Sequence, residues 1–327
     1  MSLSQGRVPA GTLAALALVA LAAGAVRAQP SGQSPAGPPR APQEEVPEGE
    51  REGGEDAAPR VRTADVVRAH LEPSYLVYPI GLSGLDPLLF EANIAPHFVV
   101  SQPAWPFAVV LTPKILLRMF NERSTPVKTP SYMPRLSVFV WFTQTLTGEP
   151  QLYTSLTLSH HSNGQTESFF DEDGSNNHAT GDFSTNFLDA SLYVTGHTQR
   201  IFGWSALSFE WHPDINQNAE LHGRYGLVRL HLSSAVLSEL PLHGALSARL
   251  SAILDRMQTS SRNSAVRVLE RFPIALRLAF LAPGVDLGFY VSYYFGHDYY
   301  NIWFDRVINV IQVGIFGGVT PTLLETD

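Results

Sequence analysis

The sequence predicts an all-β fold, a transmembrane antiparallel β-barrel of twelve strands. Three observations predict it. The chain opens with an export signal. No later segment is long and apolar enough for a membrane-spanning helix. The remainder alternates between apolar and polar residues with a period of two.

At the N-terminus Arg7 supplies a positive start, TLAALALVALAAGAV a short apolar core, and Val26-Arg27-Ala28 a small-residue cleavage site. Residues 1–28 are therefore expected to be a signal peptide. Residues 29–65 are rich in Pro, Gly, Glu and Arg and nearly free of large apolar side chains. They cannot bury enough surface to offset the entropy of ordering and are expected to be disordered, leaving 66–327 as the folded domain. That remainder has no run of ~18 apolar residues, the length a helix needs to cross a bilayer. Charged residues make up only 16% of the chain, where roughly a quarter is usual in soluble proteins. The net charge of −8 offers no basic face, so nucleic acid is not an expected partner. With no cysteine, thiolate metal sites, disulfides and cysteine nucleophiles are excluded.

Twelve alternating segments follow, near 74–81, 88–101, 106–119, 135–147, 151–162, 183–196, 201–212, 222–233, 243–257, 266–281, 285–295 and 302–316. The even count suits a bacterial barrel. In 135–143, Leu136, Val138, Val140 and Phe142 share one face, with Ser137, Phe139, Trp141 and Thr143 on the other. In 287–295, Leu287, Phe289, Val291, Tyr293 and Phe295 face away from Gly288, Ser292 and Tyr294. A soluble sandwich would show the same alternation. The charges favour a barrel, because Arg229, Arg249, Asp255 and Arg277 stand mid-segment on the less apolar face, where a wet lumen tolerates them. Aromatics gather near segment ends, Phe202 with Trp204, Phe209 with Trp211, Tyr299 with Tyr300, Trp303 with Phe304, as interfacial girdles would. An exported chain of this kind belongs in the outer membrane of a Gram-negative-type cell. Pro96, Pro113 and Pro273 interrupt three segments, since proline cannot donate to a ladder.

One segment ends unusually. YTSLTLSHHSNG, residues 153–164, places Leu156, Leu158, His160 and Ser162 on the lipid face. Polar groups facing hydrocarbon are costly unless paired. An imidazole and a hydroxyl two residues apart on one face can meet, which is what a serine nucleophile and its base require. In the next segment Asn186 shares a face with Leu188, Ala190 and Leu192, so its side-chain oxygen can hold the second imidazole nitrogen without adding charge. His161 points to the lumen instead. Alone, His-x-Ser is a weak signal, and Ser-Asn-Gly is an ordinary turn.

His160-His161-Ser162-Asn163-Gly164 followed by Asn186 resembles the His-x-Ser-Asn-Gly and Asn constellation of the outer-membrane phospholipase A family. Gly296-His297-Asp298-Tyr299-Tyr300-Asn301, then Arg306 and Val313-Gly314-Ile315, is similar to the C-terminal signature of that family. The resemblance covers roughly 70–316. It implies an active site on the outer wall of the barrel. It also implies calcium-dependent hydrolysis of acyl esters, at either glycerol position, in phospholipids and lysophospholipids, with activation by homodimerisation. Ser162 would attack the ester, His160 act as base and then acid, and Asn186 hold His160. The backbone N–H groups of Ser162 or Gly164 would serve the oxyanion. For calcium the family implies a main-chain oxygen, here Gln165, and a serine hydroxyl a few residues before the asparagine. This chain departs there, with Asp182 four before Asn186 and Ser184 two before, and both are candidate ligands. The loop 165–182 is also longer than usual and carries Asp171, Glu172 and Asp173, either a solvated loop or a second acidic site. Phe316 would be the terminal aromatic, although GGVTPTLLETD follows it.

Three other readings compete: a non-catalytic outer-membrane barrel, either a channel or a structural protein; an eight-stranded lipid A deacylase, which also uses His-x-Ser; and a soluble periplasmic sandwich.

Overall fold

The computed structural model describes residues 63–102, 105–123, 127–142, 151–197, 201–238, 243–259, 263–281 and 287–317. The expected signal peptide, most of 29–65 and the tail after Gly317 lie outside them. The strands are β1 (Ser74–Ser83), β2 (Leu88–Ile94), β3 (Phe98–Ser101), β4 (Phe107–Phe120), β5 (Ser131–Trp141), β6 (Gln151–Ser162) and β7 (Ser184–His197), then β8 (Ile201–Trp211), β9 (Val228–Ser238), β10 (His243–Ile253), β11 (Ile274–Leu281), β12 (Leu287–His297) and β13 (Val307–Gly317). Each pairs antiparallel with its neighbour, β13 with β1, and β2 with β4, which closes the ring. β3 continues the line of β2 along β4, so the thirteen strands make twelve staves. Closure leaves no free edge, so every stave has its backbone partners inside the sheet, as hydrocarbon requires. No helix among the described residues is long and apolar enough to cross a membrane.

The alternation works as the sequence predicts. On β6, Leu152, Leu156 and Leu158 face outward, while Gln151, Tyr153, Ser155, Ser159 and His161 are buried in the lumen. The long connections 163–183 and 212–227, and the one that follows β10, lie at one end, the outer face of an outer-membrane barrel. Four segments end differently from expectation. Helix α2 (Ser264–Glu270, preceded by α1, Thr63–Arg68) occupies the start of 266–281, capped by Asn263, whose side chain accepts from Ala265 N–H. The strands expected over 222–233 and 302–316 begin only at Val228 and Val307, and that over 243–257 stops at Ile253. Helix α1 starts at Thr63, inside the segment expected to be disordered, because Val66 and Val67 find apolar cover in the lumen.

The prolines fall into line. Pro113 pairs with Pro134 on the next strand. Pro96 lies in the break between β2 and β3, midway between the pairs Ile94–Ile115 and Phe98–Leu111, and so level with Pro113. None of the three can donate to a ladder, which is why β2 and β3 are separate strands. Pro273 precedes β11 and contributes only its carbonyl, to Ser251 N–H at 2.8 Å.

The expected aromatic girdle is corrected. Only Phe209 and Trp211 of those eight residues face outward. Phe202 and Trp204 pack with Val66 and Val67 of α1 against Ala108, Val110 and Phe139, and His70 stacks on Phe139 and meets Tyr193 and Trp204 at an angle. Tyr300, Trp303 and Phe304 turn inward with Phe120, Phe169, Phe183 and Leu221 under the long loops. Phe316 likewise faces the lumen, 8% exposed, rather than lipid. Strand-end position cannot distinguish an aromatic that rims the bilayer from one that fills the barrel.

Arg118 is the hub of the lumen. It is 1% exposed and bonds Glu91 on β2 at 2.8 Å and Asp298 at 2.6 Å, with its guanidinium over the rings of Tyr299 and Tyr300. Glu91 also accepts from Tyr299 at 2.9 Å and from Gln312 of β13 at 2.9 Å. Gly314 closes the seam nearby, since a Cβ there would lie 2.1 Å from the Leu76 carbonyl oxygen. Arg118→Leu strands two buried carboxylates and is expected to cost about 3–5 kcal/mol. The urea midpoint of the detergent-solubilised barrel, read by heat-modifiable gel mobility, measures this. Neutralising Glu91 and Asp298 as well should recover part of the loss.

Candidate active site

β6 and β7 run in full register, and that register sets His160 opposite Asn186 and Ser162 opposite Ser184. All four are partly exposed on the outer wall, at the long-loop end. His160 Nδ1 and Asn186 Oδ1 are 2.9 Å apart. The amide can be oriented from its other contact: Asn186 Nδ2 donates to the Ile215 carbonyl at 2.6 Å. Oδ1 is thus the atom turned to His160, which must donate from Nδ1. The imidazole is left with a lone pair on Nε2. Ser162 stands two residues further on the same face, about 7 Å along the strand. Among the described residues Ser162 and His160 share no hydrogen bond, so two of the three predicted groups are joined and the third is adjacent.

Asn163, which the sequence suggested only as a turn residue, holds the region together. It is 1% exposed. Its Nδ2 donates to the Gly181 carbonyl at 2.8 Å, and its Oδ1 accepts from Gln165 N at 3.2 Å and from Phe183 N at 3.1 Å. One amide therefore staples the start of the loop to its end. The strand period does signal this, because Asn163 follows Tyr153, Ser155, Ser159 and His161 on the inward face. Gly164 has φ +67°, the left-handed region that favours glycine, and so makes the turn; a Cβ there would stand 3.3 Å from the Tyr132 ring.

The candidate calcium ligands offer only oxygen donors, the chemistry of a hard cation. Asn163 draws Gln165 and the Asp182–Ser184 segment to a single oxygen. Asp182 Oδ2 accepts from Asn218 Nδ2 at 2.9 Å, Asn218 Oδ1 accepts from Ser184 N, and Ser184 Oγ donates to the Asn216 carbonyl at 3.3 Å. Their donor type suits calcium, and a cation there would exchange these contacts for its own. The acidic run takes part in turn structure: Asp173 Oδ1 accepts from both the N–H and the hydroxyl of Ser175.

A group that sequence reading missed lies on the other side of the wall. Asp189, Glu210 and His231 bring potential metal-ligand atoms within 4.8 Å of one another in the lumen. Asp189 faces Glu210 across β7 and β8, and His231 on β9 stands diagonally to Glu210, opposite Ser208, a grouping visible only once register is known. Glu210 is already paired with Arg229 and His212, each at 3.0 Å, so the group serves as a charge-balanced polar wall. His161 is buried in the lumen, edge-on to Phe183. Asp298, Asn301 and Arg306 anchor the last loop, to Arg118, to Thr129 O and Ser131 Oγ, and to Asp86.

No protein-family model matches the chain, and no curated protein matches it. Solved structures do. Outer membrane phospholipase A from Escherichia coli superposes with a TM-score of 0.51 at 14% identity, covering 77% of this chain and 93% of that one. An active-site mutant of the same enzyme gives 0.52 at 13%, covering 83% and 95%. The calcium-bound dimer of the Salmonella typhi outer membrane phospholipase gives 0.51 at 12%, covering 83% and 95%. The protein thus shares the outer-membrane barrel fold of those enzymes.

Asn163→Ala should leave the barrel folded but loosen the loop. Amide exchange of Gln165 and Phe183, which lose their acceptor, is expected to accelerate about ten- to a hundredfold by mass spectrometry or NMR, with β12 and β13 unchanged.

Proposed function

We propose that this protein is an outer-membrane phospholipase that hydrolyses acyl esters of the lipids around it. The observation that carries the reading is the His160–Asn186 hydrogen bond on the lipid-facing wall, with Ser162 next along the same face. A structural barrel has no reason to place an oriented imidazole and a hydroxyl toward hydrocarbon. The likeness to solved phospholipases supports the same reading.

In this mechanism Asn186 fixes His160 with Nδ1 protonated and Nε2 free. As the Ser162 oxygen adds to the ester carbonyl, its proton passes to His160 Nε2. Backbone N–H groups of Ser162 and Gly164 receive the developing oxyanion. Collapse breaks the bond to the glycerol oxygen, which takes the proton from Nε2, leaving acyl-Ser162. Water then repeats the sequence, with His160 first base and then acid, and frees the fatty acid. Calcium, held by Gln165, Asp182 and Ser184, would supply Lewis-acid polarisation of the carbonyl. Asn suits His160 better than a carboxylate would, because it orients without placing a charge against lipid. The same reading makes residues 66–327 the catalytic domain, following a cleaved signal of residues 1–28 and a disordered stretch, and a homodimer the active form.

Fatty-acid release from phospholipid in mixed micelles tests the proposal. Ser162→Ala and His160→Ala should each lower kcat by at least about a thousandfold, and Asn186→Ala by about a hundredfold. If Ser162→Ala releases as much as wild type, the assignment fails. Chelation should abolish release and added calcium restore it. Asp182→Asn should raise the calcium concentration needed for half-maximal activity, and an unchanged requirement would remove Asp182 from the ligand set.

A further inference from the structure

The connection after β8 lies against the start of β7 and bonds it residue by residue. The Ile215 carbonyl accepts from Asn186 Nδ2 at 2.6 Å, and the Asn216 carbonyl accepts from Ser184 Oγ at 3.3 Å. Gln217 Oε1 accepts from the Thr185 hydroxyl at 3.2 Å. Asn218 makes three bonds: its N–H donates to the Ser184 carbonyl at 3.0 Å, its Oδ1 accepts from Ser184 N–H, and its Nδ2 donates to Asp182 Oδ2 at 2.9 Å. The turn between Ile215 and Asn218 depends on Asn216, whose φ is +48°. This is the left-handed region, which asparagine tolerates and β-branched residues resist. Rotation about φ of Asn216 swings the peptide plane that carries the Ile215 carbonyl. That single torsion therefore aims the oxygen at Asn186, while Asn218 clamps the connection to β7.

An amide side chain keeps its shape when its oxygen and nitrogen exchange places, so only its partners decide which atom faces His160. A carbonyl can only accept. The Ile215 oxygen therefore holds Nδ2 of Asn186 and leaves Oδ1 for His160 Nδ1, 2.9 Å away. Without that oxygen Asn186 can turn over and present Nδ2. His160 Nδ1 would then accept, the ring proton would sit on Nε2, and Nε2 could no longer take a proton from a nucleophile.

We infer that Asn216 and Asn218 are positioning residues: through the Ile215 carbonyl they set the amide orientation of Asn186, and with it the tautomer of His160. The catalytic consequence rests on reading Ser162 and His160 as an esterase, whereas the tautomer itself does not. Asn216→Val and Asn216→Gly test the turn, because both remove the exposed side chain and only valine resists a positive φ. Asn218→Ala tests the clamp. Each full-length barrel, labelled with nitrogen-15 in histidine and checked for folding by heat-modifiable mobility, is read by NMR at about pH 9, where an ordinary imidazole is neutral. The His160 signals are those lost in His160→Gln. Wild type and Asn216→Gly should carry the proton on Nδ1, with Nε2 bare. In Asn216→Val and Asn218→Ala it should move largely to Nε2. In the fatty-acid assay kcat should fall with the fraction that keeps Nδ1 protonated, about tenfold when one molecule in ten does, with KM within about twofold and Asn216→Gly close to wild type. Should Asn216→Val fail to fold, Asn218→Ala, which leaves the turn unstrained, carries the same expectation. Either variant folded with the wild-type tautomer overturns the inference, as does a wild type whose His160 carries its proton on Nε2. Wild type that has the expected tautomer but releases no fatty acid sinks the esterase reading and leaves the positioning role standing.

Discussion

The register between β6 and β7 is the constraint on which the rest of the outer wall depends. Side chains on a strand alternate strictly, so a slip of one residue would send His160 and Ser162 into the lumen and bring His161 out to lipid. It would also part His160 from Asn186. The register is pinned from both sides of the sheet. Outside, the apolar rows fit lipid in only one phase; inside, Ser155, Ser159, Thr185 and Ser191 are buried and need a polar lumen. At the top of the pair Asn163 locks the loop that joins the two strands, bonding backbone groups at 165, 181 and 183. The site is thus a product of barrel construction rather than an addition to it.

Most of this wall was legible in the amino-acid sequence. Alternation gave the twelve staves and the outward face of His160, Ser162 and Asn186, because each is a local property of one strand. What depends on distant partners was not legible. Arg118, Glu91 and Asp298 look unrelated in sequence, and only the closed ring brings them together. The Asp189, Glu210 and His231 group needs the registers of three strands at once. Trp303 and Phe304 sit where a girdle residue would sit, and their inward turn follows from the fold of the 298–306 connection. Pro96 and Pro113 read as breaks in individual strands, yet they stand level with each other and with Pro134 across the sheet.

Lumen and wall divide the labour by polarity. Inside, charges are paired within hydrogen-bond distance: Glu72 with Lys114 at 2.6 Å, Arg118 with two carboxylates, Glu210 with Arg229. Such networks are rigid only when satisfied, and they brace the sheet from within. Outside, the wall is mostly apolar; among its polar groups Ser205 and Ser234 bond each other, and Asn186 and His160 form the dyad. A polar feature there is costly, and Asn186 offsets that cost by satisfying an imidazole nitrogen and a loop carbonyl with one side chain.

The contact between Arg118 and Asp298 spans 180 positions of the chain, and the pairing of β1 with β13 spans more. Contacts of that reach bear the entropy of closing a long loop before they return anything. Until the 298–306 connection arrives Arg118 lacks half of its counter-charge, and until the last stave follows β1 lacks a neighbour. Assembly therefore has a single late commitment, at which lumen, seam and outer loop form together. A chain cut short of Asp298 is recognisable as unfinished from two sides at once, by an open edge and by an interior charge that lacks a partner.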